Sequence, residues 1–200
     1  MVKCGQLKAA ASLLATVALA SHSVAAEPSQ DRYSLGTDSL TWAIDGYSLI
    51  GTWERASLPG LRWHVEAFGI EIPESLIDGF EGNTGEGWRR RIDLALMLSA
   101  DHHPFAAVPG LHWGAGFNVQ RTSVSRRGID GEQTYDLIEP IVRVGYQWFP
   151  LADVGLFLTP YMVIGVPIHL SEPEPIGGQA YQEAALLPAA SVQIGWRFAP

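Results

Sequence analysis

Past residue 26 the chain contains no lysine and no cysteine: Lys3, Lys8 and Cys4 all precede it. Without cysteine the rest of the sequence has neither a disulfide framework nor a thiolate metal site. Its 11 remaining basic residues are all arginine, if the 13 basic residues lose Lys3 and Lys8. The formal net charge of −8 becomes −10 without those two lysines, which argues against a nucleic-acid partner. A long hydrophobic run is missing too. Nothing after Ala20 approaches the roughly 20 apolar residues of a membrane helix, so a membrane location has to be reached by strands. The sequence also lacks internal repeats and low-complexity tracts, and its length beyond residue 26 suits one domain.

The missing residues are concentrated in a segment with its own character. Lys3 and Lys8 form a basic start, Ala9 to Ala20 (AAASLLATVALA) an uncharged core too short to span a bilayer, and Val24-Ala25-Ala26 a small-residue cleavage site. Residues 1–26 therefore read as a signal peptide removed near Ala26, and 27–200 as the working domain. Cys4 precedes the apolar core, so the segment is not a lipoprotein signal.

What the domain does have is a period of two. In LHWGAGFNVQ, Leu111, Trp113, Ala115, Phe117 and Val119 face one way and His112, Gly114, Gly116, Asn118 and Gln120 the other. Val192, Ile194, Trp196 and Phe198 alternate with Ser191, Gln193, Gly195 and Arg197, and Ile92, Leu94, Leu96 and Leu98 oppose Arg89, Arg91 and Asp93. Segments 61–71 and 135–149 follow the same rule less strictly. Strands are expected near 47–56, 61–71, 88–99, 110–121, 135–149, 154–168 and 184–198. An even-numbered barrel needs an eighth. Tyr33 to Ile44 is the candidate, turning at Asp45-Gly46, with a short helix over Asp38 to Ile44 as the alternative.

A soluble barrel with apolar residues inside would show the same alternation. Three features favour the inverted arrangement. The polar face mixes arginine with carboxylates, histidine and glutamine, as a narrow lumen of paired charges does. The apolar face places Tyr47, Trp53, Trp63, Trp88, Trp113, Tyr146, Trp148 and Trp196 near strand ends, where lipid–water boundaries fall. Connections alternate short (57–60, 150–153) and long (72–87, 122–134, 169–183), with 101–109 a turn of middle length on the side of the short ones. The fold class is thus all-β, an antiparallel up-and-down transmembrane barrel of about eight strands. Arg62, His64, Glu66, Arg89, Arg91, Asp93, His112, Arg143 and Arg197 are expected to form a polar network that plugs the lumen. A narrow anion-conducting arginine ladder is the alternative.

The C-terminal SVQIGWRF resembles the closing strand of small outer-membrane β-barrel proteins of Gram-negative bacteria, although Ala199 and Pro200 follow Phe198. The resemblance implies an outer-membrane location, contact with lipid and lipopolysaccharide, recognition of this strand by the barrel assembly machinery, and a structural, ligand-binding or loop-mediated role in the envelope. A porin-like character is part of that picture. His169-x-Ser171 resembles the His-x-Ser of outer-membrane lipid A 3-O-deacylases, implying Ser171 as nucleophile, His169 as base and Glu183 as orienter. Here Glu172-Pro173-Glu174-Pro175 replaces the family's continuation after the serine, so no catalytic set is favoured. Neither a metal site nor a cofactor is expected. His102 and His103 are adjacent and point apart, and the acidic 71–86 segment lacks calcium-loop spacing.

Overall fold

The computed structural model describes residues 30–80, 82–103 and 110–198. The expected signal segment, Glu81, the turn residues 104–109, and Ala199 and Pro200 lie outside them. The strands are β1 (Arg32–Asp38), β2 (Tyr47–Glu54), β3 (Leu61–Ile72), β4 (Trp88–His102), β5 (Leu111–Arg126), β6 (Ile129–Tyr146), β7 (Trp148–Leu151), β8 (Leu156–Gly165), β9 (Ile168–His169) and β10 (Leu187–Phe198). Eight of them, β1 to β6 with β8 and β10, close an antiparallel ring, and β10 returns to β1 from Tyr33↔Phe198 to Asp38↔Gln193. The short β7 and β9 extend the ladders at its two ends.

Both readings of the segment before Ile44 hold in part. The chain is extended as far as Asp38, whose side chain then accepts the Leu40 N–H at 2.9 Å and starts helix α1 (Ser39–Ala43). The Gly46 N–H donates to the Thr41 carbonyl, and Asp45 adopts a left-handed φ of 56°. Asp45-Gly46 thus ends a helical turn instead of making the expected two-residue hairpin.

Side chains sort by parity. Outward on the ring stand Leu49, Val65, Leu96, Val119, Val142, Met162 and Ile194, each 41–64% exposed. Inward stand Ser34, Thr52, Arg62, His64, Glu66, Ser99, His112, Asn118, Arg143, Thr159 and Gln193, all buried. At the end where β1 begins and β10 finishes, Phe198, Tyr33, Trp53 and Trp63 follow one another across three ladders, and the Tyr33 and Trp53 rings stack 6.5 Å apart.

One residue breaks the parity on β4. The β3–β4 and β4–β5 ladders both slip at Asp93, where Ile92 pairs with Thr122 and Leu94 with Arg121. A one-residue bulge exchanges the two faces of the strand beyond it. Below the bulge Ala95, Met97, Ser99 and Asp101 point in; above it Trp88, Arg90 and Ile92 do. Arg89 and Arg91, expected inside, are therefore exposed on the outer wall, and Trp88, expected in the aromatic girdle, is buried.

The opposite end carries a second core. Ile77, Trp88, Val124, Tyr135, Leu137, Ile176 and Tyr181 pack together with Ile72. These come from helix α2 (Glu74–Ile77) after β3, from β4, β5 and β6, and from the segment after β9. Because Val124, Tyr135 and Leu137 feed this core, the expected loop over 122–134 is instead a continuous β5–β6 hairpin turning at Arg127-Gly128. Asn83 fastens the two long connections: its amide donates to the Gln182 carbonyl at 2.7 Å and its oxygen accepts the Gln182 N–H at 3.0 Å. Trp88 meets Tyr181 edge to face at 5.5 Å. Trp88→Ala should cost about 3–5 kcal/mol in this core. Limited proteolysis of the folded protein should then cut within 73–87, and an unchanged cleavage pattern would show that the lobe is held by something else.

Candidate functional site

Two places bring polar groups together: the lumen near the terminal end, and the layer beneath the loop-end core. In the first, parity places Arg62, His64 and Glu66 on β3, Asp101 on β4, His112 on β5 and Arg143 on β6. Asp101 is the hub. It accepts from Arg62 at 2.9 Å, lies 3.6 Å from Arg143 Nε and 4.0 Å from His112 Nε2, and has no exposed surface. His64 and Glu66 are 3.2 Å apart. The Arg143 guanidinium also lies over the Tyr161 ring at 4.8 Å and reaches Gln193 at 3.4 Å. Arg62, His64, Asp101 and His112 are 0–2% exposed, so this layer is packed around their side chains.

At the mouth near the termini, Arg197 donates to Glu54 at 3.0 Å and to Gln147 at 2.8 Å, with its guanidinium over Phe149. His103, just past the end of β4, packs on His112 with ring centres 5.1 Å apart. Burial, aided by the nearby Arg62 charge and His112, pushes the His103 imidazole down to about 3, so it is neutral at ordinary pH.

The second layer is built around Glu183. It accepts the Tyr135 hydroxyl at 2.7 Å and lies 3.4 Å from Arg90. Asn118 donates to Gln120, two residues on along β5, and across the β5–β6 ladder to Glu139, both at 3.2 Å. Tyr181 closes the layer from above, and burial pushes its hydroxyl up from the usual tyrosine value. Arg90 takes the inward position that Arg89 and Arg91 were expected to hold. Asp93 is half-buried at the bulge, where it accepts from Arg91 at 2.7 Å and from Ser123 at 2.5 Å.

His169, Ser171 and Glu183 do not form a relay. Ser171 is exposed and its hydroxyl accepts the Asp136 backbone N–H at 2.9 Å, fastening the chain after β9 to β6. His169 turns Nδ1 to Glu172 and has Nε2 3.9 Å from Glu183. The base therefore faces two carboxylates and no nucleophile.

The signal for Asp101 was its parity with Ser99 and Met97, hidden by the expectation that the strand ended before it. The inward position of Arg90 had no such signal, because nothing in WRRRID marks a bulge.

No family model matches the sequence, and no curated protein does. Among solved structures, the chain is similar to neisserial surface protein A, with 12% identity over 84% of this chain and 93% of that one and a TM-score of 0.37.

Removing the hub should leave two arginines unpaired in a sealed layer. Asp101→Ala is expected to destabilise the folded barrel by about 3–5 kcal/mol in denaturant titration, and a change under about 1 kcal/mol would show that Arg62 and Arg143 do not depend on it. Ser171→Ala should leave the lipid A mass spectrum of an expressing strain the same as that of wild type and empty vector. Loss of one 3-hydroxyacyl chain that requires Ser171 would restore the deacylase reading.

Proposed function

We propose that the protein is an outer-membrane β-barrel with a sealed lumen, whose role in the envelope is structural or interaction-based and is exercised through the polar lobe at its loop end. The reading rests above all on the inversion of polarity. The exterior of the ring is aliphatic and rimmed by Phe198, Tyr33, Trp53 and Trp63, while the interior is filled by Arg62, His64, Glu66, Asp101 and Arg143. Water rewards the opposite arrangement, and hydrocarbon rewards this one. On β4 the outward positions Leu94, Leu96, Leu98 and Ala100 are apolar and His102 follows them, so Leu94–His102 is at the low end of the roughly 9–11 residues that a tilted strand needs to cross. Its upper limit is marked by outward ion pairs, Arg91 with Asp93 and Arg121 with Asp136. With the start of β1 and the end of β10 on the periplasmic side, the lobe and helix α1 stand outside the cell.

An arginine ladder for anions is disfavoured because each lumen arginine is engaged, Arg62 and Arg143 by Asp101, Arg90 by Glu183 and Arg197 by Glu54. Lipid, lipopolysaccharide and the barrel assembly machinery are the partners this location implies, the last through the β10 strand that ends at Phe198.

The mature chain refolded in detergent should migrate faster unheated than boiled, and in planar bilayers it should carry no steady current. Recovery in the soluble periplasm, with no band shift, would sink the membrane reading. Discrete current steps abolished by a bulkier residue at Ser99 would replace the sealed lumen with a pore.

A further inference from the structure

The bulge at Asp93 has a second consequence on the outer wall. Beside it lies a recess of about 270 Å³ lined by Asp45, Tyr47, Gly69, Glu71, Arg91 and Asp93 among others, close to the lower limit of small-molecule sites, roughly 300 Å³. The Tyr47 ring lies against Gly69, where a β-carbon would come within 2.6 Å of it, and its hydroxyl donates to the Asp93 carbonyl at 2.9 Å. Gly69 is therefore part of the recess: only a residue without a side chain lets the ring settle against the strand. Arg91 forms the far wall, held by Asp93 at 2.7 Å. The adjacent outward positions toward the termini are Leu49, Leu94 and Leu96, 64%, 48% and 54% exposed. The recess thus sits where the aliphatic wall gives way to charge.

We propose that this recess binds the sugar headgroup of an outer-leaflet glycolipid, its acyl chains lying along Leu49, Leu94 and Leu96. The inference rests on the membrane reading above and adds to it a site and a ligand class. Asp45, Glu71 and Asp93 line the recess with one guanidinium, Arg91, that Asp93 already engages, so the recess is net negative and disfavours a phosphate headgroup. The Asp45 and Glu71 carboxylates are acceptors for sugar hydroxyls, the free N–H groups of Arg91 are donors to them, and the exposed Tyr47 ring offers an apolar face to the C–H side of a pyranose. Neither Asp45 nor Glu71 is bound to another side chain among the described residues, which leaves both available to a ligand.

The test uses the folded mature chain in nanodiscs, with monoglucosyl diacylglycerol and phosphatidylglycerol as probes, read by native mass spectrometry. One glucolipid per barrel should be retained, at least about tenfold more tightly than phosphatidylglycerol. Asp45→Ala/Glu71→Ala and, separately, Tyr47→Leu should remove that preference while the unheated band shift persists. Equal retention of the two lipids by wild type, or an unchanged preference in both variants, overturns the site. A wild type that binds neither probe overturns it too, and leaves the membrane reading standing as long as its band shift is present. Loss of the shift in wild type itself would count against the membrane reading instead.

Discussion

Every backbone N–H and C=O in the wall of a closed sheet finds its partner in a neighbouring strand, and under the membrane reading proposed above hydrocarbon would offer no other. The rest of the architecture follows from that constraint. It requires that β10 come back to β1, and the six-residue register from Tyr33↔Phe198 to Asp38↔Gln193 is where it does. Closure by eight strands fixes a narrow interior that side chains fill. Parity then decides which side chains: with the outward half of each strand committed to Leu, Val, Trp and Tyr, the inward half carries the polar residues. A lumen so small cannot hydrate several charges separately, so they have to satisfy one another. Asp101 between Arg62, Arg143 and His112 is the result.

The long-loop end solves a different problem. There the β4–β6 strands rise beyond the rest of the ring, and their inward positions switch from polar to apolar: Val124, Tyr135 and Leu137 instead of His112, Asn118 and Arg143. An apolar core inside a polar lumen would be misplaced if the lumen continued to the top. It does not. The segments after β3 and β9 fold over these positions and make a small soluble-type core with Ile77, Ile176 and Tyr181. The molecule therefore has two hydrophobic surfaces of opposite sense, one facing out along the wall and one facing in under the lobe. Glu183 lies between the two regimes, bound to Tyr135 and beside Arg90, so the carboxylate that looked like the third member of a catalytic set is instead part of the layer beneath the lobe.

Legibility followed the same division. The wall could be read from the sequence because parity is strict there: His112 to Gln120 and Gln193 to Arg197 needed only a period of two. Arg62, His64, Glu66, His112 and Arg143 stand inside for that reason. The lobe could not be read, since Val124, Tyr135 and Trp88 act through contacts with residues about 40 to 90 positions away, such as Tyr181 and Ile176, which no local pattern records. His169-x-Ser171 misled in a related way. Spacing puts two side chains on one face of a strand only while the strand lasts, and β9 ends at His169. Beyond it Ser171 turns back to the Asp136 backbone.

The largest error came from the smallest feature. One extra residue at Asp93 moves Arg90 inward and Arg89 and Arg91 outward, so a run of three arginines serves two environments. Without the bulge, Trp88 would point outward from the ring and the lobe core would lose its largest member. The same residue opens the outer wall opposite Gly69, where Tyr47 lies against the strand and Arg91 closes the side. Bulges of this kind bend a strand and redirect side chains, and they persist in barrels because the closed ladder on either side holds them in register. A sheet closed on itself cannot pass a slip along to a free edge, so the slip must be absorbed locally. Here it is absorbed at the level where the outer wall changes from aliphatic to charged.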